Sequence, residues 1–168
     1  MFNEANTMLT RPVLPLHHPA TLLATWGGSG LLKRAPGTWG SLAALPFAWA
    51  IETWLGHMAL LTGTVIIFFI GWWATAVYMQ SGTAGDDPKE VVIDEVAGQW
   101  LLLSILPLTV KGYLAGFLLF RFFDIVKPWP VSFADKHIKG AFGVMLDDIL
   151  AACYPVVLLV VIDPMNSL

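Results

Sequence analysis

The sequence predicts an all-α fold, an integral membrane bundle of about five membrane-embedded helices, and three observations carry that expectation. The 168 residues are 57% hydrophobic and only 12% charged, with a mean hydropathy of +0.69, far more apolar than a soluble domain of this size. Residues 53–85 form a run of 33 without Asp, Glu, Lys or Arg, where roughly 20 apolar residues suffice to cross a bilayer as a helix. Charge is also concentrated. The stretch 121–148, RFFDIVKPWPVSFADKHIKGAFGVMLDD, lies between apolar runs yet holds eight fixed charges: Arg121, Asp124, Lys127, Asp135, Lys136, Lys139, Asp147 and Asp148. Charges beside apolar helices are costly unless they pair, bind an ion or face water, so this stretch reads as a functional site.

The same composition excludes other classes. A net charge of −3 argues against nucleic-acid binding, which needs a basic stripe to neutralise phosphates. An acidic protein that binds a phosphate needs a metal to bridge the two. Glu4, Arg11, Pro12, Pro15 and Pro19 interrupt the N-terminus before an apolar core forms, so it is expected to be retained rather than cleaved as a secretory signal. The lone Cys153 has no intrachain partner and reads as a small packed hydrophobe. One domain is expected over residues 25–168, preceded by a surface arm over 1–24 whose His17 and His18 read as neither ligands nor catalysts. No motif fixes an oligomeric state.

In chain order, the glycine-dense ATWGGSGLLKRAPGTWGSLAALP follows the arm and lacks the Gly-Lys-Ser/Thr ending of a nucleotide loop. Residues 41–54 read as a first span or a re-entrant helix, with Thr38 or Ser41 as the N-cap that would present free N–H groups to an anion. Residues 57–80 are the clear span, and the polar hinge SGTAGDDPKE follows, with Asp86, Asp87 and Glu90 read as a solvated turn. Residues 91–110 form a further candidate, ended by Pro107 and the Lys111-Gly112 pair. Residues 113–126 form another, stopped by Lys127-Pro128 and Pro130. The last is expected to open at Asp147-Asp148 and run to Asp163-Pro164.

Orientation decides whether the acids can meet. Lys33, Arg34, Lys89, Lys127, Lys136 and Lys139 fall in segments separated by paired crossings, while Lys111 is alone at the other turns, so the first group faces the cytoplasm. A single span over 96–120 would put Asp94 and Asp124 on opposite faces, but it would carry Pro107, Lys111 and Gly112 in its interior. With a turn near 110–112, Asp94 and Asp124 stand on the order of 24 and 18 Å from it at 1.5 Å per residue. Both then lie toward the cytoplasmic side of a roughly 30 Å core.

Three acidic elements therefore converge: Asp94-Glu95, Asp124 and Asp147-Asp148. Hard oxygen ligands suit Mg²⁺, which takes one or two carboxylates together with water and phosphate oxygens. Within each adjacent pair, helical geometry sends the side chains about 100° apart, so one acid can bind metal while its neighbour orients water or a lysine. Arg121 and Lys127 lie one turn either side of Asp124, where they could hold phosphate oxygens; Arg121 pairing with Asp124 only to neutralise a helix end is the plainer alternative. His137, in the polar loop, reads equally as a surface residue or a substrate contact.

These residues carry a resemblance. GTWGSLAALP (37–46), DDPKEVVIDEVAGQW (86–100), FRFFDIVKPWP (120–130) and GAFGVMLDD (140–148) resemble, in order, the motifs of the phosphatidylglycerophosphatase A family, over roughly residues 25–155. The resemblance implies a Mg²⁺-dependent enzyme of the bacterial inner (cytoplasmic) membrane, its site facing the cytoplasm. Such an enzyme removes the terminal phosphate of phosphatidylglycerophosphate, a bilayer lipid, to give phosphatidylglycerol. It implies a catalytic centre of Asp94, Glu95, Asp124, Asp147 and Asp148 with Lys127. Metal would fall to Asp94, Glu95, Asp124 and Asp148, and substrate to Thr38, Ser41, Arg121, Lys127 and Lys136. Ala141 departs from the pattern, where the family often has a second glycine. Direct attack by water and attack by an aspartate to form an acyl-phosphate both remain open.

Rival lipid enzymes lack their signatures here: neither D-x-x-D-G-x-x-A-R nor D-x-D-x-T occurs, nor a paired-histidine arrangement. From another class, a small divalent-cation or proton carrier would line a path with carboxylates. Such a path predicts acids staggered through the membrane rather than gathered at one end.

Overall fold

The computed structural model describes residues 14–81 and 88–162, and among them every regular element is helical. The helices are α1 (Pro19–Ala24), α2 (Pro36–Leu55), α3 (His57–Gln80), α4 (Ile93–Leu103), α5 (Val110–Val126), α6 (Val131–His137) and α7 (Gly140–Ile162), with a 3₁₀ turn at Ser29–Leu31.

Two of them, α3 and α7, are long and apolar enough to cross a membrane. Both carry apolar side chains on their outer as well as their inner faces: Val65, Ile66, Phe69 and Trp73 on α3 and Val157 and Val161 on α7 are exposed. Helices apolar all round belong in a core or in lipid, not against water.

α4 is the hub. It packs against α2, α3, α5 and α7 and buries all but two of its 11 residues. At about 16 Å it is too short to cross a core of about 30 Å. The tight fit depends on Gly98: a Cβ there would stand 2.6 Å from Phe120 and 2.8 Å from the Asp148 carbonyl oxygen. That close approach brings α4 and α7 together one turn from the acids of α4 and at Asp148 itself on α7.

Several boundaries differ from those expected. α4 ends at Leu103 rather than running to 110, because Ser104 turns its hydroxyl back onto the Leu101 carbonyl at 2.8 Å and Pro107 follows. Lys111 and Gly112 do not end a helix but sit in the first turn of α5, which Thr109 caps by accepting the Gly112 N–H at 3.0 Å. The break at 104–109 rules out a single helix over 96–120.

α2 starts earlier than expected, with Pro36 at its first turn, and continues through Pro46. Neither Thr38 nor Ser41 is its N-cap; Ala35 holds that place in a left-handed conformation without a side-chain bond. Proline's fixed φ suits a first helical turn, which displaces the start from the polar residues downstream. α7 opens at Gly140, not at Asp147, so Asp147-Asp148 lies two turns inside it. Gly140 has φ +79°, and Ala141 follows it buried in the first turn.

The charged loop contains α6, a helix that residue patterning did not indicate. In the N-terminal arm, residues 19–24 form α1, with Ala20, Thr21 and Ala24 buried against α3. His18 accepts the Ala20 N–H through Nδ1 at 3.2 Å, as a cap. Residues 1–13, Asp86 and Asp87, and the expected end of α7 at Asp163-Pro164 lie outside the described residues.

Candidate active site

Four helix segments supply the site. The first turn of α4 carries Asp94 and Glu95, where the helix N-terminus favours negative charge. The last turns of α5 carry Arg121 and Asp124, and α5 stops at Lys127, which takes φ +43° before Pro128. α7 presents Asp147 and Asp148, and α2 presents its first turn. Together they line a cleft of about 380 Å³ that includes Pro36, Gly37, Asp94, Glu95, Arg121, Asp124, Lys127, Asp147 and Asp148. Asp94 and Asp124 thus open to one space.

Within the cleft the acids divide. One carboxylate oxygen each from Asp94, Glu95 and Asp148 lie within 4.8 Å of one another. Asp124 pairs with Arg121, whose guanidinium also stands 3.6 Å from Glu95. Asp124 is near enough for its charge to act on Glu95, Asp147 and Asp148. Asp147 turns the other way along α7 and accepts from Lys127. Lys127 is held on its far side by Asp135 at 2.8 Å, and so bonds α6 to α7 rather than flanking Asp124.

The adjacent acids of α7 therefore face different partners, as their 100° separation requires. Gly37 makes the fit possible on the α2 side: a Cβ there would lie 2.0 Å from Glu95 Oε1 and 3.0 Å from the Arg121 guanidinium.

Electrostatics leave the site short of positive charge. Five carboxylates face Arg121, Lys127 and the rim residue Lys89, a surplus of two negative charges when all are ionised. Each ionised pair at this spacing repels by about 3–4 kcal/mol at an effective dielectric of about 20. Buried oxygens Asp94 Oδ1, Glu95 Oε2, Asp147 Oδ1 and Asp148 Oδ2 have no hydrogen-bond partner. Buried polar atoms are nearly always satisfied, so four orphans in one cleft point to a ligand. Three hard oxygens that converge, in a cleft lacking two positive charges, fit a divalent cation of the magnesium class.

At the solvent edge, burial works to lower the Lys127 ammonium, but the carboxylates of Asp147 and Asp135 outweigh it and hold it well above its ordinary range. The hydrogen bond from Lys127 holds Asp135 below its ordinary range against its partial burial.

The other expected site residues are placed less directly. Ser41 is buried and donates to the Gly37 carbonyl at 2.9 Å, supporting the turn behind Glu95. Thr38 lies half-buried one residue past Gly37, and Lys136 is exposed on α6; neither lines the cleft. His137 stacks on Phe133 and its ring nitrogen meets the Phe133 carbonyl, outside the cleft lining. Residue patterning did not single out Asp135, eight positions from Lys127 and on another helix, nor Lys89 on the rim. No periodicity links such positions, and only the turn at Pro128 to Pro130 brings α6 back.

The phosphatidylglycerophosphatase A family model matches residues 22–163. Phosphatidylglycerophosphatase A of Haemophilus influenzae is 39% identical over 155 residues, 89% of this chain and 92% of its own length. That of Escherichia coli is 39% identical over 143 residues, 82% and 80% of the two chains. A Bacteroides thetaiotaomicron protein, described provisionally as a phosphatidylinositol-3-phosphatase, is 42% identical over 147 residues, 83% and 91%. No solved structure matches the chain significantly. With a match that runs through all four helices of the acid cleft, the chain belongs to the phosphatidylglycerophosphatase A family and is a lipid phosphatase.

Proposed function

We propose that the protein removes the terminal phosphate of phosphatidylglycerophosphate in a Mg²⁺-dependent reaction at the cytoplasmic face of a bacterial inner membrane. α2, α4 and α5 are embedded there beside α3 and α7. The observation that carries this reading is the set of orphaned oxygens on Asp94, Glu95, Asp147 and Asp148 within one cleft. The named activity of the Haemophilus influenzae and Escherichia coli relatives supports the substrate. Bacterial relatives and the basic residues at the cleft end support the location.

Asp94, Glu95 and Asp148 are the residues that would hold the cation, with Asp124 close by. When bound, it supplies charge neutralisation and Lewis-acid polarisation of a phosphoryl oxygen. Arg121 binds a second phosphate oxygen once substrate competes for its pairing with Asp124. The positive end of α2 lies beside it. Lys127 fixes Asp147 through one oxygen, leaving Oδ1 free to take a proton from water as that water attacks phosphorus. The phosphorus–oxygen bond to the glycerol breaks, the departing oxygen takes up a proton from solvent, and Asp147 releases to solvent the one it accepted. The alternative, attack by an aspartate oxygen, passes through an acyl-phosphate that hydroxylamine or borohydride traps on the protein and that direct attack by water never forms.

The test is phosphate release from phosphatidylglycerophosphate in detergent, with Mg²⁺ and after chelation. Release that needs the cation is expected. Hydrolysis of phosphatidylinositol 3-phosphate in its place would reassign the substrate along the lines of the Bacteroides relative, and cation flux in liposomes without any hydrolysis would favour a carrier.

A further inference from the structure

A second concavity shares α5 and α7 with the acid cleft and is its chemical opposite: an almost wholly apolar groove of about 500 Å³ between the end of α5, the start of α6 and one face of α7. Its floor is Leu150, Tyr154, Val157 and Val161. These follow Asp147 by three, seven, ten and fourteen positions, one helix face with Asp147 at its head. Its wall on α5 is Phe123, one turn before Lys127. The Lys127–Asp147 ion pair therefore caps the groove, with Phe123 and Leu150 one turn below it.

The wall is fixed by contacts of its own. Phe123 stacks on Tyr154 with centroids 5.4 Å apart, and the Tyr154 hydroxyl donates to the Trp129 carbonyl. From Leu150 to Val161 the groove runs about 16 Å along α7, close to the ~15 Å that one leaflet contributes to a ~30 Å core.

We propose that this groove holds one acyl chain of the lipid substrate, so that the Lys127–Asp147 pair at its head delivers the terminal phosphate into the acid cleft. The proposal rests on the lipid-phosphatase reading and adds where the tail lies. Three features select an acyl chain. The groove begins one turn below the Lys127–Asp147 pair that lines the acid cleft, its lining is almost wholly apolar, and its length is that of one leaflet. An extended peptide would set backbone N–H and C=O groups against a wall with no partners for them; a hydrocarbon chain has none to satisfy.

The experiment uses the full chain in detergent micelles with phosphatidylglycerophosphate that carries a photoactivatable diazirine midway along one acyl chain. Cross-links are expected at Phe123 and within 150–161 of α7, and to be displaced by unlabelled long-chain substrate. Cross-links spread over the outer faces of α2 and α3, or insensitive to competition, would mark bulk lipid and overturn the proposal, as would links between two copies through 150–161. Substitutions that fill the groove, Val157→Trp and Val161→Trp, should lower the ratio of kcat/KM for the dioleoyl substrate to that for its deacylated headgroup about tenfold or more. An unchanged ratio contradicts the proposal. If the unaltered protein hydrolyses neither compound, the phosphatase reading fails, while the cross-link pattern still decides whether the groove takes the chain.

Discussion

Two polar clusters are buried at opposite ends of α2, and they differ in what their carboxylates face. Near the C-terminal end, Glu52 accepts the Tyr113 hydroxyl at 2.5 Å, and His57 Nδ1 stands 2.6 Å from its other oxygen. About 22 Å along the same helix, Gly37 touches Glu95. There four carboxylates each keep an oxygen without a hydrogen-bond partner, as Glu52 does at Oε1.

Both clusters place acids among apolar helices, so the presence of a buried carboxylate does not separate them. What the oxygens face does: those of Glu52 stand against a hydroxyl and an imidazole, whereas those of Asp94, Glu95 and Asp148 lie within 4.8 Å of one another. Glu52 stands against a hydroxyl from α5 and a ring nitrogen from α3 and ties three helices, although its Oε1 makes no hydrogen bond; in the cleft Asp94, Glu95 and Asp148 converge on one another instead.

Substitutions sharpen that contrast. The largest expected effect is at Asp148: Asp148→Asn should lower phosphate release on the order of 10³-fold, since charge stabilisation in the transition state is what it removes. Its unfolding temperature should stay within about 2 °C of the parent, because the replaced oxygen has no protein partner to lose. A large loss of stability there would make the acid cleft structural like its counterpart.

Gly37→Ala drives a methyl into Glu95 Oε1 and should cost about 10–100-fold in activity with a raised Mg²⁺ requirement. Unaltered metal dependence would show that Glu95 can be displaced freely.

Glu52→Gln should give the reverse pattern. A loss of about 1–3 kcal/mol, seen as a fall of about 2–12 °C in unfolding temperature, should leave turnover within about twofold. A turnover defect larger than the loss of folded protein would join the two clusters functionally.

The smallest effect concerns pH. Asp135 is held below its ordinary value of 3.8, so its contribution is present above that value and fades as pH falls through the lower folded one. Lys127 is held above its ordinary 10.5, so its contribution is full below 10.5 and fades only as pH rises through the higher folded value. Their bond therefore holds throughout the neutral range. Asp135→Asn should flatten the acid limb of the stability curve by no more than about 1 kcal/mol, given solvent screening at a partly exposed pair. An acid limb unchanged in Asp135→Asn would show that the Lys127 bond to α6 adds nothing.

Much of this was legible in the residues. The uncharged run gave α3 to the residue, because a long apolar stretch between Gly56 and a polar hinge has one reading. The three acidic elements were expected to meet, and Asp94, Glu95, Asp124, Asp147 and Asp148 line one cleft.

What escaped depends on tertiary contact or backbone conformation. The start of α7 at Gly140 follows from a glycine at positive φ, which overrides the pull of Asp147-Asp148 as a helix opening. The Pro36 start of α2 likewise displaced the polar caps downstream. The assignment of Asp147 to Lys127 and of Asp148 to the α4 acids needs the packing of α4 on α7 at Gly98. Glu52 read only as an interruption of an apolar segment, since its partners lie five and 61 residues away.

The proposed cation site is formed by Asp94, Glu95 and Asp148, between α4 and α7. Its most direct test is Mn²⁺ binding, followed by electron paramagnetic resonance, to the purified chain and to Asp94→Asn, Asp148→Asn and Glu52→Gln. Weakening of about tenfold or more is expected in the first two, with Glu52→Gln binding like the parent. Mn²⁺ held as tightly by Asp94→Asn and Asp148→Asn as by the unaltered protein would contradict it.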